Sequence, residues 1–190
     1  MTKEEWWNKY NGRELCKKYP DKIKEWWDAK KFDWSDDSWY LAQFCSEYFN
    51  IWWDSEKYNW KDGSWFLAQS CFKDFNIWWD AEKFNWNSSW LLAKYCIKYF
   101  DIWWDPEKFD WKYGTEHLTK YCSEYFNIWW DPEKFNWKDG KDDLNKYCSS
   151  KFTNLQFKQL LLHSNKLARQ FAMKELERKE NDKRRMVGEV

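Results

Sequence analysis

The pair Trp-Trp followed by Asp recurs at Trp26, Trp52, Trp78, Trp103 and Trp129, at spacings of 26, 26, 25 and 26 residues. A period of this size constrains the fold more than any other feature. A unit of some 26 residues cannot bury an apolar face alone, so successive units must stack on one another. The full copies share W-W-D-x-[EK]-K-[FY]-[DN]-W, a variable polar stretch, and then L-x3-C-x3-F. A degenerate copy precedes them at Trp6-Trp7-Asn8. The third copy is one residue shorter around Asn87-Ser88-Ser89, which reads as a loop.

Within each copy the apolar period is helical. Leu67, Cys71, Phe75 and Trp79 fall at i, i+4, i+8 and i+12, as do Leu118, Cys122, Phe126 and Trp130. The pattern predicts one helix of about 15 residues per repeat, ~22 Å long, capped at Ser38, Ser64, Ser89 or Thr115. Asp105-Pro106 and Asp131-Pro132 predict a stop and a second, very short helix with Asp as its cap. Roughly ten return residues can span ~33 Å, enough to bring the chain back beside its starting point. Gly63, Gly114 and Gly140 recur as turn residues.

The predicted fold is therefore all-α: a short α-solenoid of tandem repeats, each one long helix plus one short helical turn, with a C-terminal capping helix. Residues 1–25 form a degenerate N-terminal repeat or cap, 26–152 hold five Trp-rich repeats, and 153–190 form one long helix with a charged, partly disordered tail. Leu155, Leu160, Leu161, Leu162, Leu167, Phe171 and Leu176 suggest that one helix, whose first half is apolar enough to cap the last repeat.

Composition narrows the function. Aromatic residues make up 24% of the 190 residues, which supports a packed core and argues against disorder. Charged residues make up 34%, and no apolar run approaches the ~18 residues of a membrane span. Met1-Thr2-Lys3-Glu4-Glu5 begins no secretory signal. Residues 1–150 carry 22 Lys/Arg against 27 Asp/Glu, and residues 151–190 carry 10 against 5, a mildly acidic body with a basic tail. Cys45, Cys71, Cys96, Cys122 and Cys148 share one repeat position, with Cys16 outside that register. They read as small buried residues of a cytoplasmic protein, neither paired nor at metal spacing.

Catalysis is not expected. His117 and His163 have no partner at metal or nucleophile spacing, and no phosphate loop or hydrolase motif occurs. No cofactor or metal is implied. Glu56-Lys57 and its equivalents read as a solvated ion-pair ladder. The recurring Trp pairs read as core, with Asp54, Asn59 and their counterparts as acceptors for indole N–H groups or as helix caps.

Differences between copies are more informative about function. The two residues before the repeat Leu are Trp39-Tyr40, Trp65-Phe66 and Trp90-Leu91, then Glu116-His117 and Asp142-Asp143. The residue after the ladder Cys is Phe72 in the second repeat and Ile97 in the third, but Ser46, Ser123 and Ser149 elsewhere. These extra apolar groups either bury against each other or form an exposed patch. Trp39, Trp65 and Trp90 alone among the repeat tryptophans break the five-fold rule.

The expectation is a non-catalytic scaffold, adaptor or inhibitor that binds a protein through Trp39, Tyr40, Trp65, Phe66, Trp90, Leu91, Phe72 and Ile97. The alternative is a nucleic-acid-binding repeat protein, supported by Lys183, Arg184 and Arg185, or an inhibitor of a nucleic-acid-processing complex of the kind mobile elements encode. No membrane partner is expected, and self-association stays open.

Overall fold

Asp and Asn start the long helices. In the computed structural model, which describes residues 1–187, the side chains of Asp33, Asn59, Asp110 and Asn136 accept hydrogen bonds from N–H groups two or three residues on. The described residues form 14 α-helices and no strand. They fall into two compact units, divided between Trp104 and Asp105.

The first unit contains α1 (Lys3–Lys9), α2 (Gly12–Lys18), α3 (Ile23–Trp26), α4 (Trp34–Phe44), α5 (Phe49–Trp52), α6 (Trp60–Ser70), α7 (Phe75–Trp78), α8 (Ser89–Tyr95) and α9 (Phe100–Trp103). Its long helices α2, α4, α6 and α8 pack each against the next. The second unit contains α10 (Trp111–Tyr121), α11 (Phe126–Trp129), α12 (Trp137–Cys148), α13 (Asn154–Leu161) and α14 (Lys166–Val187). There α10 packs on α12, and α14 packs on both α12 and α13. Each unit is thus a tandem helix stack of the solenoid kind, as the repeat requires.

The expected start at Ser38, Ser64, Ser89 or Thr115 is corrected in most copies: the helix begins four residues earlier. Those hydroxyls are buried and lock neighbouring repeats instead. Ser38, Ser64 and Thr115 accept the backbone N–H of Asn59, Asn85 and Asn136 at 3.1, 3.0 and 3.3 Å. The Asn side chains complete the joint by donating to the carbonyls of Ser35, Lys61 and Lys112 one repeat back. Asn at this position therefore caps its own helix and ties it to the previous one. In the third repeat the shortened segment is no loop. Trp86–Ser88 winds as a tighter 3-10 turn, and the α-helix begins at Ser89.

The continuous 15-residue helix is also corrected. The long helix ends at the ladder Cys, whose backbone leaves the helical region (Cys45 φ −116°, ψ 23°). A 3-10 turn such as Ser46–Tyr48 follows, then a four-residue helix such as α5. A 3-10 turn takes about 3.0 residues instead of 3.6, so the apolar face changes phase. The first Trp of each pair faces inward as a result. Trp26, Trp52, Trp78, Trp103 and Trp129 are buried, whereas Trp79 and Trp130, which continue the i+4 series, are half-buried.

The buried indoles do not use the recurring carboxylates and amides. Trp52, Trp78, Trp103 and Trp129 donate to the carbonyls of Cys45, Cys71, Cys96 and Cys122, seven residues back, at 2.8–3.0 Å. Trp34, Trp60, Trp86, Trp111 and Trp137 donate to carbonyls five residues back. The Asp of the Trp-Trp-Asp motif does act as the expected cap. Asp105 accepts from Glu107 and Lys108, and the Phe109 N–H closes one α-turn onto its carbonyl. That single turn is all of the expected second helix.

Gly63, Gly114 and Gly140 are not turn residues either. They lie buried in the first turn of their helices, where an aromatic ring fills the space a Cβ would occupy. The Glu–Lys ladder runs between repeats rather than between neighbours: Lys31 reaches Glu4 and Lys83 reaches Glu56, each at 2.5 Å, and Lys134 reaches Glu107.

The C-terminal region is two helices, not one. Leu162–Asn165 breaks it, and the Nδ1 of His163 accepts the Asn165 N–H at 2.9 Å. Phe157, Leu160, Phe171 and Ala172 are buried, and Trp137 is buried beside Phe171 where its counterparts are half-buried, so the pair caps the last repeat as expected. The expected disordered end falls partly on residues 188–190, outside the described residues; up to Val187 the tail is helical. Among the described residues no helix is long and apolar enough to cross a membrane.

Candidate functional site

Four helices of the first unit share one register. Leu15, Leu41, Leu67 and Leu92 are fully buried, and each accepts the N–H four residues on, from Tyr19, Cys45, Cys71 and Cys96. Two residues before that Leu stand Arg13, Trp39, Trp65 and Trp90; two after it stand Lys17, Gln43, Gln69 and Lys94. The stack therefore sets one side chain of each set beside its equivalent on the next helix.

Rings join across the helices. Trp39 stacks on Tyr40 at 3.6 Å and on Phe66 of the next helix at 4.8 Å between centroids. Trp65 stacks on Phe66 at 5.6 Å and meets Trp90 edge-on at 6.3 Å. Tyr40 stacks in turn on Phe44 at 6.0 Å. The strip ends on cations of α2: Arg13 and Lys17 sit over the Tyr40 ring at 5.0 and 4.8 Å.

The question of burial or exposure resolves residue by residue. Tyr40 and Leu91 are buried and form the floor. Trp39, Phe66 and Trp90 are half-buried, and Trp65 is 46% exposed. The Trp65 indole N–H is held by Gln69 Oε1 at 2.7 Å, so that ring offers an apolar surface in a fixed pose. Phe72, 38% exposed, and Ile97, half-buried, sit on the 3-10 turns after the ladder Cys. Neither is a link in the ring chain.

Two features were readable in the sequence but missed. Residues 38–46, 63–72 and 86–93 contain no charged side chain, in a chain that is 34% charged. These segments hold the rings of α4, α6 and α8; the charged residues of those helices, Asp36, Asp37, Lys61, Asp62 and Lys94, lie outside them. Phe44, 38% exposed, extends the strip on α4. A third surface feature, the exposed Ile77 and Ile102 before the buried Trp of α7 and α9, carries no helical-period signal of exposure. In the 3-10 phase just described, it points outward.

Lys183, Arg184 and Arg185 are exposed on α14, in the other unit. Upstream on that helix Glu175 is buried and held by Arg178 at 2.7 Å. His163 Nε2 lies 3.1 Å from Glu133 Oε1. His117 is half-buried next to the Tyr121 ring.

All six thiols are free and buried. Burial pushes Cys96, Cys122 and Cys148 up to about 12. The Cys16 thiol meets that of Cys45, and this contact, together with burial, raises it far above the ordinary range; Cys16 thus joins the ladder from outside its sequence register. Such thiols are protonated and shielded, the opposite of a reactive cysteine. Among the described residues no group of three or more His, Cys, Asp or Glu side chains is arranged to hold a metal ion. A cleft of about 710 Å³ lined by Trp7, Arg13, Lys31, Asp33 and Asp37 mixes charges of both signs, and Arg13 and Asp37 there neutralise each other at 2.9 Å.

No family model, curated protein or solved structure matches the chain.

Proposed function

We propose that the chain is a non-catalytic interaction scaffold, an adaptor or inhibitor, which takes a protein partner on the ring strip of α4, α6 and α8. One observation carries this reading: the segments bearing Trp39, Trp65 and Trp90, residues 38–46, 63–72 and 86–93, contain no charged residue and leave Trp65 nearly half exposed. Depletion of charge with enrichment in Trp, Tyr and Phe is the compositional mark of an interface core. The equivalent positions of the last two repeats, Glu116-His117 and Asp142-Asp143, show that the fold does not need aromatic groups there. The six free, buried thiols support a reducing compartment, such as the cytoplasm, as the place of work.

The test is affinity capture with quantitative mass spectrometry, using the native chain and a Trp39→Ala, Trp65→Ala, Trp90→Ala variant checked by circular dichroism. A partner retained by the native chain and lost from the folded variant supports the reading. Equal retention by both refutes it.

The exposed Lys183, Arg184 and Arg185 favour a second reading, contact with nucleic acid. A gel-shift titration across salt tests it. Binding at low salt that disappears when these three are changed to Gln supports this reading, and absence of binding rejects it.

A further inference from the structure

We infer that the occupant of the ring strip is an amphipathic α-helix of the partner, laid across α4, α6 and α8 with an acidic end over α2. This rests on the protein-binding reading above and adds the shape, direction and charge of what binds.

The spacing of the strip comes first. Packed helices lie ~8–10 Å apart, so Trp39, Trp65 and Trp90 present one aromatic tier per such step. A helix repeats one face every seven residues, a rise of ~10.5 Å. Apolar residues at i, i+7 and i+14 therefore meet one tier each.

The second argument concerns hydrogen bonds. An extended segment on this surface would bring unpaired backbone N–H and C=O groups against rings, and each needs a partner once water leaves. The strip has few to give. Residues 38–46, 63–72 and 86–93 bring no charged group, and the Trp65 N–H and Gln69 Oε1 are already committed to each other. A helix brings its own backbone bonds and needs only an apolar face.

The third argument is charge. The tier of α2 replaces Trp with Arg13 and Gln with Lys17. Arg13 shares its charge with Asp37, but Lys17 is exposed and has no carboxylate partner among the described residues. At the other end Lys94 of α8 occupies the same register position, but it is half-buried with its ammonium 4.8 Å over the Tyr95 ring. The exposed cation therefore lies at the α2 end, which sets the direction of the bound helix and asks for Asp or Glu at that end of it.

The experiment is selection of random 18-residue displayed peptides on the full chain, followed by binding measurements on the enriched peptides. The expected peptides carry apolar residues seven apart and acid at one end. Their affinity falls at least about thirtyfold on Trp65→Ser. It falls about fivefold on Lys17→Glu, and a basic end on the peptide restores it. A proline at the peptide centre abolishes binding. Peptides that need Trp65 but tolerate the proline, or that lack an acidic end, overturn this inference and leave the protein-binding surface standing. Enrichment indifferent to Trp65, or no enrichment, overturns both.

Discussion

Trp78→Phe tests the joint on which every repeat turns. Trp78 is 1% exposed, and its indole N–H donates to the Cys71 carbonyl at 2.8 Å. Three losses follow from the substitution. The hydrogen bond contributes ~1 kcal/mol net. It is not worth the full penalty of an orphaned group, because the Cys71 carbonyl keeps the Asp74 N–H at 3.0 Å. Removing part of the ring leaves a cavity of roughly 40 Å³, worth ~1 kcal/mol, and forfeits about as much again in apolar transfer. The expected destabilisation is roughly 3 kcal/mol.

Trp60→Phe is the internal control. Its N–H also donates to a backbone carbonyl, that of Ser55 at 2.9 Å, but the side chain is only half-buried. Water can replace the lost donor, so the expected cost is under ~1 kcal/mol. In urea titrations followed by far-ultraviolet circular dichroism, with a slope of ~2–3 kcal/mol per molar, Trp78→Phe lowers the midpoint by about 1–1.5 M. Trp60→Phe lowers it by less than about 0.5 M. Equal shifts for the two variants would refute the argument that the buried indole–carbonyl bond secures the bend between the long and short helices.

Gly63→Ala in α6 reverses the usual helix rule: Ala should gain ~1 kcal/mol over Gly by propensity, but the new Cβ would stand 2.5 Å from the Tyr58 ring, so a net loss of ~1–3 kcal/mol is expected in the same titration. A gain in stability would show that the ring moves freely. The ladder thiols predict alkaline lability. A folded thiol near 12 holds its proton while the unfolded one releases it above ~8.5, so stability is full below that pH and falls between it and about 12. Cys96→Ala should flatten the decline of the urea midpoint between pH 8 and 10, by an amount corresponding to roughly 1 kcal/mol per pH unit. An unchanged slope counts against a buried, protonated Cys96.

Periodicity made the repeat, the helical class and the inward line of Leu67, Cys71 and Phe75 legible, because side chains on a helix declare their face every 3.6 residues. It failed at the next step. The 3-10 turn Phe72–Asp74 has no sequence mark of its own, and extending an α-helical count through it selects Trp79 when Trp78 is the buried ring. Capping failed for a related reason. Ser64 and Asn59 are both good N-caps in isolation, and only the stacking of the next repeat assigns Asn59 the cap and Ser64 the bridge to Asn85. The break at Leu162–Asn165 was hidden because no Gly or Pro marks it. The ring strip was half legible. Trp39, Trp65 and Trp90 stood out by departing from the repeat, but the placing of Arg13 and Lys17 over Tyr40 depends on aligning α2 by its buried Leu15, which the missing Trp and shifted Cys of that copy conceal.

The same alignment separates architecture from function. Positions that every repeat shares are consumed by the fold: Leu and Cys by burial, the first Trp by a carbonyl, Asn or Asp by a cap. What remains is the pair of positions just before the Leu, where one register holds Trp65-Phe66 in one copy and Asp142-Asp143 in another. A scaffold that tolerates either pair at one backbone site leaves that site open to vary without loss of the stack. In α4, α6 and α8 it is occupied by rings that touch from helix to helix, and α2 ends the row with cations. Contact between rings on different helices makes the row one surface rather than three scattered residues. For that reason Trp39→Ala, Trp65→Ala and Trp90→Ala should not act additively on binding, and the double variants should each cost less than the sum of their singles. Strict additivity would mean three independent contacts, and the strip would then not be the unit of recognition.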